Sequence, residues 1–299
     1  MVESVVSVRD VWKSYDEVQA VRGLSFEVHR GEVFGLLGPN GSGKTTTIRM
    51  IVDILKPDAG TIAVLGGPVT PARSERLGYL PEERGLYQRL KVREVLMFLA
   101  SLKGLERHVA ARRTEKYLDR VELLGSMNRR MRELSRGMQQ KVQIVATVLH
   151  EPDFLIMDEP FSGLDPVNRS IVIELFLELA RAGSTVVLST HQMDQVEALC
   201  SRVLLINRGQ EALSGPVREI KLRFADDSLL VRADADWSAQ EEVATVADEG
   251  DLKRVTLKPG ISPEEFVRRL AGRGARIEHF QRRLPSLDEI YIKTVRGAP

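Results

Sequence analysis

A chain of 299 residues, 43% hydrophobic and 28% charged, can bury a sizeable core and has room for two domains. Its formal net charge of +1 supplies no global field toward DNA, RNA or an acidic membrane surface, so no nucleic-acid partner is expected. A lone cysteine, Cys200, excludes an internal disulfide and a cysteine zinc cluster, and fits a reducing, cytoplasmic setting.

The first residues lack a basic stretch followed by an apolar one, so no signal peptide is expected. No apolar run reaches membrane-spanning length, and a role at a membrane needs another chain to do the spanning. Residues 5–9 alternate like a strand, and residues 18–28 read as a second strand region with a turn at Arg22-Gly23. An apolar run over 32–37 reads as a buried strand. It leads into Gly38-Pro39-Asn40-Gly41-Ser42-Gly43-Lys44-Thr45-Thr46, which fits G-x-x-x-x-G-K-[ST], and residues 46–52 read as a helix. That strand, loop and helix are the context in which the motif binds a nucleoside triphosphate. The glycines let backbone N–H groups turn inward around phosphate oxygens, and the helix N-terminus adds its positive dipole end. Lys44 is expected to reach the β- and γ-phosphates and Thr45 to place its hydroxyl on Mg²⁺.

Residues 56–60 form a turn and 61–64 a strand. From 91 to about 124 the apolar positions recur at helix spacing, as Val95, Leu99 and Leu102 do, which marks a helical insertion in an α/β core. Leu134-Ser135-Arg136-Gly137-Met138-Gln139-Gln140 opens a further helix with Ser135 as its N-cap. A helix start with a hydroxyl and a glycine suits an anion, though taken alone the stretch fits an ordinary capped helix better. The apolar strand over 154–157 ends in Asp158-Glu159. Asp158 can hold Mg²⁺, and Glu159 can orient and polarise an attacking water. Residues 162–166 form a turn, 167–182 a helix, and 185–189 another buried strand that ends at Thr190-His191. A histidine there can hydrogen-bond a γ-phosphate, though as a lone observation it fits a structural role better.

These motifs in series resemble the nucleotide-binding subunits of ABC (ATP-binding cassette) transporters, from about residue 5 to about 222. The resemblance implies a P-loop α/β cassette over 1–222, with a RecA-like core, an antiparallel β subdomain and a helical insertion at about 91–150. It implies ATP and Mg²⁺ as cofactors, with Thr45, Asp158 and the residue at position 82 on the metal. It also implies that Ser135 and Gly137 contact the γ-phosphate held by the P-loop of a second copy, and that Asp165 sits at the dimer seam. Tyr15 takes the place where an aromatic stacks on adenine, the alternative being a surface tyrosine in a turn. The partners implied are a second copy, arranged head to tail, and membrane permease subunits that hold the protein at the inner face of the membrane. Docking is expected around Glu82 to Tyr87 and the helical insertion. The chain departs from the family in two places. Glu82 stands where glutamine is usual, and an ionised carboxylate can bind a cation but cannot donate a hydrogen bond. Arg136 and Met138 replace the usual residues of the signature, while the contact residues Ser135 and Gly137 remain.

Residues 223–299 have a different texture and read as a small α+β domain. Strands are expected at 228–232, 254–257 and 275–281, a helix after Ser262-Pro263-Glu264-Glu265, and a last helix capped at Ser286. This part is similar to the extension on ABC-2-type exporter ATPases of the sodium-efflux and drug-resistance groups. Its role is regulatory or dimerising, or that of a passive stabilising cap. The function implied is ATP hydrolysis that drives export through a separate permease. The rival is a soluble cassette ATPase without a membrane partner, acting on nucleic acid, ribosomes or metal-cluster assembly. A non-catalytic nucleotide-binding regulator is disfavoured by the presence of Glu159 and His191. The cargo is not legible.

Overall fold

Two long antiparallel strands open the chain, β1 (Ser4–Tyr15) and β2 (Val18–His29), followed by β3 (Val33–Leu37), helix α1 (Lys44–Ile51) and β4 (Ala59–Val64). Next come α2 (Pro71–Glu75), β5 (Leu77–Leu80), α3 (Val92–Leu102), α4 (Arg107–Arg120) and α5 (Arg136–Val148). The first unit continues with β6 (Phe154–Asp158), α6 (Pro166–Arg181), β7 (Thr185–Thr190), α7 (Met193–Leu199), β8 (Arg202–Asn207) and β9 (Gln210–Pro216). This computed structural model describes residues 3–83 and 85–296; Met1, Val2, Arg84 and residues 297–299 lie outside it. The chain divides into two units, Met1–Val217 and Arg218–Pro299, a few residues ahead of the 222/223 boundary expected from sequence. Helix α8 (Val217–Arg223) begins at the division.

In the first unit, six strands form one sheet in the order β5-β6-β7-β3-β8-β9, parallel except for the β8–β9 pair. Every residue of β3, β6 and β7 is buried, which is why these strands read as apolar runs rather than as alternation. A second sheet, β2-β1-β4, is antiparallel. Its inner side chains, including Val8, Leu24 and Val28, share a core with Phe34 and Ile156 of the large sheet and Ile48 and Ile51 of α1. The crossovers bring the carboxyl ends of β3, β6 and β7 side by side, the edge where open α/β sheets bind ligands.

Three local expectations change. Arg22-Gly23 is not a turn; β2 runs straight through it as a bulge opposite Trp12, with Gly23 at φ 63. The bulge is held by the Arg22 guanidinium on the Arg208 carbonyl, at 2.9 and 2.6 Å. Helix α1 starts at Lys44 rather than at 46, because Gly43 caps it in a left-handed conformation, φ 109. The helical stretch from 91 breaks at Gly104, φ 73, where Leu105 N–H closes on the Ala100 carbonyl at 3.1 Å. Among the described residues, no helix is long and apolar enough to cross a membrane.

The second unit holds β10 (Ser228–Asp234), β11 (Val243–Glu249), β12 (Leu252–Leu257), α9 (Pro263–Gly272), β13 (Arg276–Arg282) and α10 (Leu287–Arg296). Its strands form one antiparallel sheet, β11-β12-β10-β13. Edge strand β11 is mostly exposed and so carries no apolar signal in the sequence. Leu229, Val231, Val255 and Leu257 pack with Phe266 and Leu270 of α9. Helix α9 is capped by Ser262, whose oxygen accepts from Glu265 N–H at 3.1 Å, with Pro263 in the first turn. Ser286 and Glu289 cap α10 reciprocally, each backbone N–H donating to the other's side chain at 3.2 Å.

Glu242 is almost fully enclosed here. It accepts two hydrogen bonds from Arg273, both 3.0 Å, and one from Arg269 at 3.2 Å. The Arg273 hydrogen bonds are the main cause that holds its carboxyl down to about 2, against an ordinary value of 4.5. A depressed carboxylate stabilises the folded state above its unfolded value and loses that contribution as pH falls toward its folded one. E242Q is therefore expected to lower the unfolding temperature of this unit at pH 7 by roughly 4–8 °C. The gap to the parent should narrow as pH is taken from about 4.5 toward 2. Thermal unfolding of both proteins across that range checks this; a gap that does not vary with pH contradicts it.

Candidate active site

The loop after β3 is shaped by backbone that only glycine tolerates. A Cβ on Gly38, φ 148, would fall 2.2 Å from the Ile206 carbonyl and 2.6 Å from Ser42 Oγ. One on Gly43 would fall 2.5 Å from the Ala20 carbonyl. Pro39 accepts from Ser42 N–H at 3.1 Å, and Gly209 N–H donates to the Ser42 carbonyl at 2.9 Å, which ties the loop to the β8–β9 turn. Ser42 Oγ is buried with no hydrogen-bond partner. Lys44 folds back over the loop and donates to the carbonyls of Gly38 (2.8 Å) and Pro39 (3.1 Å). Burial pushes its ammonium below the usual lysine range, while the charges of Glu159, Asp158 and Glu82 pull the other way.

At the end of β6, Asp158 is buried and accepts from Thr45 Oγ1 at 2.7 Å and from Ser189 Oγ on β7. Glu159 takes a left-handed backbone, φ 49, uncommon for a residue with a Cβ. Its N–H donates to the Ser189 carbonyl at 3.0 Å, and its carboxylate lies across the end of β7. There it accepts from Thr190 Oγ1 (3.3 Å) and His191 N–H (3.1 Å), and pairs with His191 Nδ1 at 2.7 Å. The Glu159 side chain is 13% exposed and that of His191 50%, so the histidine faces the open side.

One open cleft of about 320 Å³ is lined by Tyr15, Lys44, Thr45, Glu82, Asp158 and Glu159. Asn40, Gly41, Gly43 and Thr46 complete its floor. An adjoining cleft of about 290 Å³ joins Asn40, Glu82 and Glu159 to His191 and Arg169. Tyr15 is exposed, with its ring at the cleft. A larger cleft, about 910 Å³, lies elsewhere, and its Lys116 and Arg120 are already matched by Glu151 (3.4 Å) and Glu178 (2.6 Å).

Neither Ser135 nor Gly137 lines the loop cleft within the chain. Ser135 caps α5, accepting from Met138 N–H at 3.2 Å, and is itself exposed. A Cβ on Gly137 would fall 3.0 Å from the Gly163 carbonyl, so the signature abuts the turn that leads to Asp165. Asp165 caps α6, and hydrogen bonds from Asn168, N–H first and side chain second, hold its carboxyl below the usual range. Sequence reasoning missed Ser189 and Thr190, which orient Asp158 and Glu159. Their signal is two hydroxyl residues directly before His191 at the end of an apolar strand.

The residues present fit a nucleoside triphosphate with a hard divalent cation. Gly38 and Gly43 let the loop pack closely against the Ile206 and Ala20 carbonyls, the space beside Gly41 is open, Ser42 Oγ lacks a partner, and Thr45, Asp158 and Glu82 offer oxygen ligands. Among the described residues, no three His, Cys, Asp or Glu side chains stand where they could hold a metal by themselves. Mg²⁺ suits such a site, since it takes one or two carboxylates and completes its shell with water and substrate phosphates.

Comparison with known proteins agrees with this geometry. Residues 21–162 match the ABC transporter family, and residues 215–295 match the C-terminal domain of ATP-binding proteins like DrrA1-3. The chain is 37% identical over 294 residues to the ABC transporter ATP-binding protein YhaQ of Bacillus subtilis, covering 97% of this chain and 98% of that one. It is 35% identical over 295 residues to Nod factor export ATP-binding protein I of Burkholderia pseudomallei, covering 96% of each. To linearmycin resistance ATP-binding protein LnrL of Bacillus subtilis it is 35% identical, over 76% of this chain and 74% of that one. A solved ATP-binding subunit of an ABC transporter superposes with a TM-score of 0.69 at 31% identity, covering 74% of this chain and 93% of that one.

The two inner glycines should respond differently to alanine. At Gly43 a Cβ meets the Ala20 carbonyl, whereas at Gly41, φ 75, nothing lies within 4 Å. G43A is expected to weaken binding of a fluorescent ATP analogue by about a hundredfold or more, and G41A by about tenfold, the cost of a left-handed backbone alone. Equal losses in a binding titration contradict this reading of the loop.

Proposed function

We propose that this chain, which belongs to the family of ABC transporter ATP-binding proteins, is the ATP-hydrolysing subunit of an exporter, working as a head-to-tail pair beneath a separate membrane permease. The observation that carries the reading is the Glu159 carboxylate, held by Thr190 and His191 on the same cleft as Lys44 and Thr45. Lys44 exchanges the carbonyls of Gly38 and Pro39 for phosphate oxygens, and the N–H groups around Gly41 and Gly43 receive the remaining charge. Tyr15 offers its exposed ring to adenine. Thr45 and Asp158 hold Mg²⁺, which when bound supplies charge neutralisation along the β- and γ-phosphates. Glu159 orients and polarises the attacking water, and His191, half-exposed beside it, hydrogen-bonds the γ-phosphate.

The open face of the cleft is closed by the partner copy, whose Ser135 and Gly137 at the start of α5 reach the γ-phosphate while Asp165 lies at the seam. Hydrolysis removes the group that bridges the two copies, so the pair loosens. The permease docks where Glu82, Tyr87 and α3 meet the surface; Arg84, in the same stretch, lies outside the described residues. Tyr87 and Phe98 are exposed there as an edge-on ring pair, 5.6 Å between centroids. Exposed paired aromatics suit a partner's apolar surface better than water. That arrangement sets the chain at the inner face of the membrane. Relatives named for Nod factor export and linearmycin resistance favour export over the soluble-ATPase alternative.

E159Q keeps the volume and removes the charge. It is expected to cut ATP turnover by about 10² or more and to accumulate an ATP-bound dimer, measured by phosphate release and light scattering. Turnover at the parent rate overturns the assignment of Glu159.

A further inference from the structure

Three carboxylates and one lysine face the loop cleft, and one of the carboxylates, Glu82, has no hydrogen-bond donor among the described residues. Asp158 accepts from the hydroxyls of Thr45 and Ser189, and Glu159 from Thr190 and His191. Glu82 lines both clefts, yet among the described residues it makes no hydrogen bond and no ion pair. Its position follows from the sheet. The parallel register sets Leu80 beside Met157, which brings Glu82, two residues past the end of β5, level with Asp158 and Glu159. The backbone there is anchored, because Gln143 of α5 donates to the Glu83 carbonyl at 3.1 Å. Glu82 therefore stands at the cleft by construction of the fold.

We infer that Glu82 makes nucleotide binding depend on the divalent cation, so that the site admits the cation complex of ATP and rejects the free triphosphate. The inference rests on the proposed ATP site and concerns its choice of substrate form. A metal-free triphosphate carries about four negative charges into a cleft lined by three carboxylates, with Lys44 as its one cation among the described residues and Arg169 and His191 in the adjoining cleft. The Glu82 charge, exposed and without a hydrogen-bond donor among the described residues, adds repulsion to that encounter. With a divalent cation present the sign reverses. The same charge then attracts the cation, directly or through water, where an amide offers only a dipole. Glutamine at this position, usual in the family, is neutral in both situations and so discriminates less.

The test compares the parent with E82Q and E83Q by titration with a fluorescent non-hydrolysable ATP analogue, once in excess Mg²⁺ and once in EDTA. Glu83 is the control because it is exposed, adjacent in sequence and lines neither cleft. E82Q is expected to bind the analogue more tightly in EDTA and more weakly in Mg²⁺. The ratio of the two affinities should fall by about tenfold or more. E83Q should keep the parent ratio. An unchanged ratio in E82Q, or an equal change in E83Q, overturns this inference while leaving the ATP site in place. A parent chain that binds the analogue under neither condition overturns both the inference and the proposed function.

Discussion

A short relay of oxygen atoms holds the chemistry of this chain together. Thr45 Oγ1 donates to one oxygen of Asp158, at 2.7 Å, and Ser189 Oγ donates to the other. The three residues belong to the first turn of α1, the end of β6 and the end of β7. These meet only because the sheet order places β7 between β6 and β3. Asp158 is buried, so an ionised carboxylate there is costly unless both oxygens are satisfied. The two hydroxyls meet that requirement and fix the distance between the phosphate loop and the strand that carries Glu159. Gly38 and Gly43 let the loop approach closely, and the left-handed turn at Glu159 swings its carboxylate back over β7.

The same geometry accounts for the proposed division of the site between two copies. Lys44, Thr45, Asp158, Glu159 and His191, the proposed contacts from below, lie at or just beyond the carboxyl ends of β3, β6 and β7. The residues suited to grip it from above, Ser135 and Gly137, stand at a different place in the same chain, against the turn before Asp165. In the proposed two-fold pair, one copy's α5 lies over the other's loop and the contact repeats at the second site. Fuel and interface then become one object, and what happens at the γ-phosphate is felt by the whole pair. In the proposed function, a permease docked near Tyr87 and Phe98 of each copy receives that change as motion.

Much of this was legible in the sequence because phosphate binding leaves dense local signals. The glycines follow from backbone conformations that few residues tolerate, and Lys44, the paired acids after an apolar run and His191 stand out as charged or titratable side chains at the ends of apolar strands. What was misread depends on packing. The start of α1 at Lys44 requires knowing that Gly43 is left-handed, and the bulge at Arg22-Gly23 depends on Arg208, far along the chain. The break at Gly104 is a local signal outweighed by the apolar periodicity on both sides. Edge strand β11 buries little, so its composition resembles a loop. Ser189 and Thr190 were missed because a hydroxyl at the end of a strand has no meaning until the neighbouring carboxylates are in place.

The claim that each site is assembled from two copies is tested most directly by complementation. K44A disables the loop, and S135R, at an exposed position, disables the signature. Each variant alone is expected to be inactive. Mixed in equal amounts, half of the dimers pair unlike copies, and each of those holds one intact site. Mixing should therefore restore up to about a quarter of the parent ATPase rate. No recovery on mixing, or S135R alone hydrolysing ATP at the parent rate, contradicts the account.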